Sequence, residues 1–179
     1  MINKIYLERE NFNEMKKIYS QTRVLVLDNF FEDLVYKKLL KLIDIKGYKK
    51  YRADKYSYEE IENEISDFFG SEFEEFLEGI TEKKGFKLSF KKFSWKDYTL
   101  IHDEEGKDGV DFFFFVSDSW KDEWGGYKVY TAEEPMIFSV QSNRLCIIDR
   151  NGLNDFVKYV NNKAEGCFVL VEGNVPAEI

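Results

Sequence analysis

His102 is the single histidine of the chain, and it opens His102-Asp103-Glu104-Glu105 directly after Tyr98-Thr99-Leu100-Ile101. An imidazole beside carboxylates has two readings. It can ligate a divalent cation together with an acid, or it can be a surface histidine at a strand end whose charge the acids neutralise. Asp103, Glu104 and Glu105 could likewise pair for acid–base work, although an acidic cluster of this kind is ordinarily a solvated face. Other reactive sets are missing: the sequence has no spacing that recommends a Ser-His-Asp triad, no glycine-rich phosphate loop, no CxxC and no HExxH. Cys146 and Cys167 lie in the apolar runs Leu145-Cys146-Ile147-Ile148 and Cys167-Phe168-Val169-Leu170-Val171, too far apart for a ligand pair, and read as two buried reduced thiols.

The whole chain limits the partners such residues could serve. Its 179 residues, 44% hydrophobic, suit one domain with a substantial core, taken as 1–179 with a helical part to about 85 and a β part from about 86. Seventeen Phe, eleven Tyr and three Trp against two Pro favour tight packing over extended disorder. The net charge of −8 disfavours nucleic acid, which is held mainly through phosphates, and leaves a protein or peptide partner as the expectation. Charges interrupt the apolar residues of Met1 to Glu10, so this stretch reads as neither secretory signal nor membrane span, and a cytoplasmic setting is expected.

The elements that would position these residues follow from periodicity. Val24 to Leu27 reads as a buried strand; Asn29 with Glu32 reads as a capping box opening a helix from about Phe31 to Ile43, with Leu34, Val35, Leu39 and Leu42 on one stripe. Ser57 with Glu60 repeats the signal ahead of Ile61, Ile65, Phe68 and Phe69, and Ser71 with Glu74 does so ahead of Phe76, Leu77 and Ile80. Between the first two helices, Tyr48 to Tyr56 interleaves cations with rings and reads as a solvated connector. After Gly85 the period becomes that of strands: Phe86 to Phe93, Tyr98 to His102, Val110 to Val116, Tyr127 to Tyr130 after a Gly125-Gly126 turn, Met136 to Val140, Arg144 to Ile148, Phe156 to Val160 and Cys167 to Val171. Val110 to Val116 is nearly all apolar and should be buried on both faces, with Tyr127 to Tyr130 as its partner. Helices followed by many short strands give an α+β domain, N-terminal helices on a jelly-roll double sheet.

Three stretches together resemble the prolyl-4-hydroxylase-like iron(II)/2-oxoglutarate oxygenases: Lys96 to Glu104, Trp120 to Tyr130 with its Gly-Gly turn, and the helix Ser71 to Gly79. The likeness runs from about Val24 to Val171 and implies a double-stranded β-helix barrel. In that family two histidines and a carboxylate occupy one face of the iron, and a basic side chain, ideally Arg, anchors the cosubstrate's far carboxylate. A His-x-carboxylate pair suits this because residues two apart on a strand point the same way. On this chain His102 matches the first histidine and Glu104 the carboxylate, usually Asp. Asp155 stands where the second histidine is expected, with Val157 and Val160 keeping the surrounding pattern. Glu165 falls at the basic anchor, and Lys163 is the nearest cation. Trp120 and Trp124 either close the hairpin or rim a substrate mouth.

One histidine with two carboxylates would suit manganese or magnesium better than iron(II), and a lost charge-assisted anchor forfeits about 1.5–3 kcal/mol per bond. The resemblance with these departures implies a binding or interaction module that uses no cofactor or at most a divalent metal. Its rival is an active dioxygenase that holds iron(II) on His102, Glu104 and Asp155 and 2-oxoglutarate on Lys163, and hydroxylates a protein or peptide side chain.

Overall fold

The computed structural model describes residues 1–45, 47–61, 66–101 and 108–177, so His102, Glu104 and Ile65 lie outside the described residues. In chain order the elements are α1 (Arg9–Thr22), β1 (Val24–Leu27), α2 (Asp33–Ile45), β2 (Tyr48–Ala53), β3 (Tyr56–Ile61), α3 (Ser71–Thr81), β4 (Lys87–Phe93), β5 (Tyr98–Thr99), β6 (Gly109–Val116), β7 (Lys128–Thr131), β8 (Met136–Phe138), β9 (Arg144–Asp149), β10 (Asn154–Val157) and β11 (Phe168–Pro176). The strands form two antiparallel sheets. The larger runs β1-β9-β6-β11-β4-β3-β2 with β5 attached to β3, and the smaller runs β10-β7-β8. This is the expected α+β architecture, with helices on a jelly-roll double sheet.

β6 explains the layering. All eight of its residues are buried. Phe112, Phe114 and Val116 face the helices, where they meet Phe73, Phe76 and Leu77 of α3 and Leu39 of α2. Phe113 and Phe115 face the opposite way, into the space between the sheets, with Tyr130, Phe168, Leu170 and Val157. Period-two alternation across a strand covered on both sides requires this near-continuous apolar run.

Several elements differ from their sequence expectation. Residues 48–61 form the β2–β3 hairpin, neither connector nor helix start, turning through Asp54-Lys55 between paired Ala53 and Tyr56. Tyrosines favour a pleated surface, and β3 gains cross-strand charge pairing with β4, where Lys92 Nζ lies 3.3 Å from Glu59 Oε2. Ser57 therefore donates its hydroxyl to Asp97 Oδ1 at 2.7 Å instead of capping a helix. At α2 the expected capping box is replaced by backbone: the Glu32 carbonyl accepts from the N–H groups of Val35 and Tyr36, while Asn29 sits in a left-handed turn at φ 52°. Asn143, buried before β9, clamps this start by accepting from the Phe31 N–H and donating to the Phe31 carbonyl, both at 2.9 Å. β7 is not the partner of β6, which pairs with β11 and β9; the turn at Gly125-Gly126 carries the chain across to the smaller sheet. Cys146 is buried as expected, whereas Cys167, one residue before β11, is exposed. No helix among the described residues is long and apolar enough to cross a membrane.

Candidate functional site

The two sheets enclose a cavity of about 580 Å³. Its wall is apolar at Leu88, Phe93, Val157 and Leu170, aromatic at Tyr56, Tyr58 and Tyr130, and charged at Lys55, Lys87, Lys91, Asp111, Lys128, Arg150, Asp155 and Glu172. Alternation along the strands brings the charges here. Lys128 and Tyr130 share one face of β7; Lys91 and Phe93 share one face of β4; and Phe168, Leu170 and Glu172 share one face of β11.

Six of these charges form one network, which Tyr130 and Asn174 join through hydrogen bonds. Lys128 Nζ lies 2.6 Å from Asp155 Oδ2 and 2.9 Å from Glu172 Oε2, with the Lys128 side chain only 4% exposed. Lys91 donates to the other oxygen of Glu172. Arg150 reaches Asp155 Oδ1 at 2.9 Å and Asp111 Oδ2 at 3.1 Å. Asp111 also accepts from the Tyr130 hydroxyl at 3.1 Å and from Asn174 Nδ2 at 2.7 Å. Buried charges are stable only when paired and hydrogen-bonded in this way. Burial alone would push the carboxyls of Glu172 and Asp155 up, but the adjacent Lys128 ammonium holds both below the ordinary range, with Lys91 reinforcing Glu172 and Arg150 reinforcing Asp155. For Asp111 burial outweighs Asn174, Lys128 and Arg150, so its pKa is raised. Burial works against the Lys128 charge, yet Glu172 and Asp155 keep the ammonium pKa above its usual value.

The residues singled out from sequence are distributed as follows. Asp155 points into the cavity from β10, each carboxylate oxygen on a different cation. β5, which leads toward His102, is fastened to β10 by the Val157 N–H donating to Thr99 Oγ1 at 2.7 Å. His102 and Glu104 fall outside the described residues. Lys163 and Glu165 are exposed and do not line the cavity; the Lys163 N–H donates to Asn161 Oδ1. Trp120 and Trp124 pack edge to face at 5.2 Å, Trp120 stacks edgewise on Phe168 at 4.8 Å, and its Nε1 donates to the Gly125 carbonyl. Both pack against the crossing between β6 and β7, which is not a hairpin, and neither lines the cavity.

Lys91, Asp111, Lys128, Arg150 and Glu172 were not singled out from sequence. The signal was present for three of them: Asp111 interrupts the apolar run of β6, Lys128 lies between Tyr127 and Val129, and Glu172 follows Val169 to Val171. A charge inside an otherwise apolar strand is rarely buried without a partner.

Among the described residues, the surroundings of Asp155 do not fit a metal ion. A cation there would sit beside an ammonium and a guanidinium, and each unit of like charge at 4 Å is unfavourable by about 4 kcal/mol in a partly screened interior. Among the described residues no group of three or more His, Cys, Asp or Glu forms a ligand cluster.

No protein-family model and no curated protein sequence matches the chain. Solved structures do. A prolyl-4-hydroxylase of Pseudomonas putida superposes with a TM-score of 0.75 at 9% identity, covering 93% of this chain and 98% of that one. A prolyl hydroxylase of Trichoplax adhaerens, in complex with a hypoxia inducible factor oxygen degradation domain peptide fragment, gives 0.69 at 10% identity, covering 94% and 93%. HygX of Streptomyces hygroscopicus, with nickel and 2-oxoglutarate bound, gives 0.61 at 11% identity, covering 92% and 87%. The hairpin, the helical layer and the two facing sheets of this chain thus make up a prolyl-4-hydroxylase-like 2-oxoglutarate/iron(II) oxygenase fold.

Proposed function

We propose that this chain is a binding or interaction module built on the oxygenase barrel, that it keeps the cavity for a peptide or small ligand, and that it does not run metal-dependent hydroxylation. One observation carries the reading: Asp155, which the sequence resemblance puts where the second histidine is expected, has both carboxylate oxygens engaged by Lys128 and Arg150. The expected cosubstrate anchor is also absent from the cavity wall, since Lys163 and Glu165 are exposed outside it. A peptide occupant is supported by the size of the cavity and its mixed aromatic and charged lining, and by the Trichoplax neighbour, which was solved with a peptide.

Incubation with iron(II), 2-oxoglutarate and ascorbate should yield no succinate above a protein-free control and no stoichiometric iron uptake. Uptake of one iron equivalent with turnover of 2-oxoglutarate would establish the rival enzyme, with His102, Glu104 and Asp155 as ligands. In that case His102→Ala should abolish metal uptake while leaving the fold intact.

A further inference from the structure

Lys128 Nζ is surrounded as a bound organic cation would be. Carboxylates flank it from both sheets, Asp155 of β10 and Glu172 of β11. Two aromatic rings complete the niche: the ammonium lies 5.6 Å from the centre of the Phe113 ring and 5.4 Å from that of Tyr130. Carboxylates attract any cation, whereas ring faces attract ammonium groups in particular. The charges match a monocation too. Lys91, Lys128 and Arg150 balance Asp111, Asp155 and Glu172, so deleting Lys128 alone leaves the network one positive charge short.

We infer that the barrel contains a latent site for a small alkylammonium ion, formed by Asp155, Glu172, Phe113 and Tyr130 and filled in the native chain by the protein's own Lys128. The side chain of Lys128 is a tethered ligand, and truncating it to Ala empties a niche open to the cavity. A divalent metal is the poorer occupant, because Lys91 on Glu172 and Arg150 on Asp155 remain in place and the net charge would then overshoot. The inference does not depend on what the module binds or on its lack of hydroxylase activity.

The test uses purified full-length protein and methylammonium chloride as probe, with sodium chloride at equal ionic strength as control. Lys128→Ala should show a saturable rise in Tm of roughly 2–4 °C with methylammonium, and the wild type should show none. Lys128→Met, which fills the niche with a neutral chain, should not respond, and Lys128→Ala with Glu172→Gln should lose the response. Should Lys128→Ala not fold alone, refolding from urea with and without methylammonium replaces the melt, and recovery only with the amine is the supporting result. Equal response in wild type, Lys128→Ala and Lys128→Met overturns the assignment. So does a Lys128→Ala protein that ignores methylammonium, fails to refold in its presence, or is stabilised by manganese(II) instead.

Discussion

Lys128 has the most consequential position of any single side chain, because it joins acids from opposite sheets while almost wholly buried. Removing one partner of a buried, hydrogen-bonded ion pair leaves the others uncompensated, so Lys128→Met should destabilise the fold by about 3–5 kcal/mol, read as a lower urea midpoint at unchanged slope. The pH dependence has a defined sign. Glu172 and Asp155 have folded pKa values below their unfolded ones, so their stabilisation is present above the unfolded carboxylate range, about pH 4, and is lost as pH falls. Lys128 and Lys91 are raised, so their share is present below about pH 10 and is lost as pH rises through their folded values. Asp111, raised by burial, works the other way and slightly offsets the acid loss. Tm should therefore stay flat through neutral pH and fall at both extremes, and Glu172→Gln should flatten the acid limb; an unchanged acid limb in that variant would remove Glu172 from the account.

At the scale of elements, two tight joints set the frame. The Asn143 side chain makes two hydrogen bonds to the Phe31 backbone just ahead of α2, so Asn143→Ala should cost about 1–3 kcal/mol by leaving those backbone groups unpaired. Gly126 adopts φ 76°, and a Cβ there would lie 2.6 Å from the Phe168 ring, so Gly126→Ala combines strain with overpacking and should lower stability by about 1–3 kcal/mol in denaturant titration. β1, β6, β9 and α3 were readable in the sequence because apolar pattern alone specifies an element covered on one or both faces. The β2–β3 hairpin was not, because Ser57 and Glu60 mimic a helix start and only pairing with β2, β4 and β5 decides against it. The partner of β6 was missed for a similar reason: a Gly-Gly turn is local, whereas the sheet a strand joins is a long-range property. Asp155 is legible through its resemblance position, but its pairing is not: Lys128 comes from β7, separated from β10 in sequence by β8 and β9, and although Arg150 is close in the chain, only the turn after β9 aims it back at the carboxylate.

For the molecule as a whole, the fold of metal-dependent oxygenases is combined with a buried network in which Lys91, Lys128 and Arg150 neutralise Asp111, Asp155 and Glu172. Chelator treatment should therefore leave Tm within about 1 °C of the untreated value, since a ligand that does not bind the native state cannot shift its stability; a large drop with EDTA would expose a structural metal. The salt links of the network span both sheets: β7 and β10 on one side, β4, β6 and β11 on the other. Prising the smaller sheet away would strand several charges in a low-dielectric gap at once, so partial breathing of the barrel is suppressed and opening becomes a single concerted event. Amide protons of β7 and β10 should then exchange with deuterium at rates close to those of β11, as members of one cooperative unit.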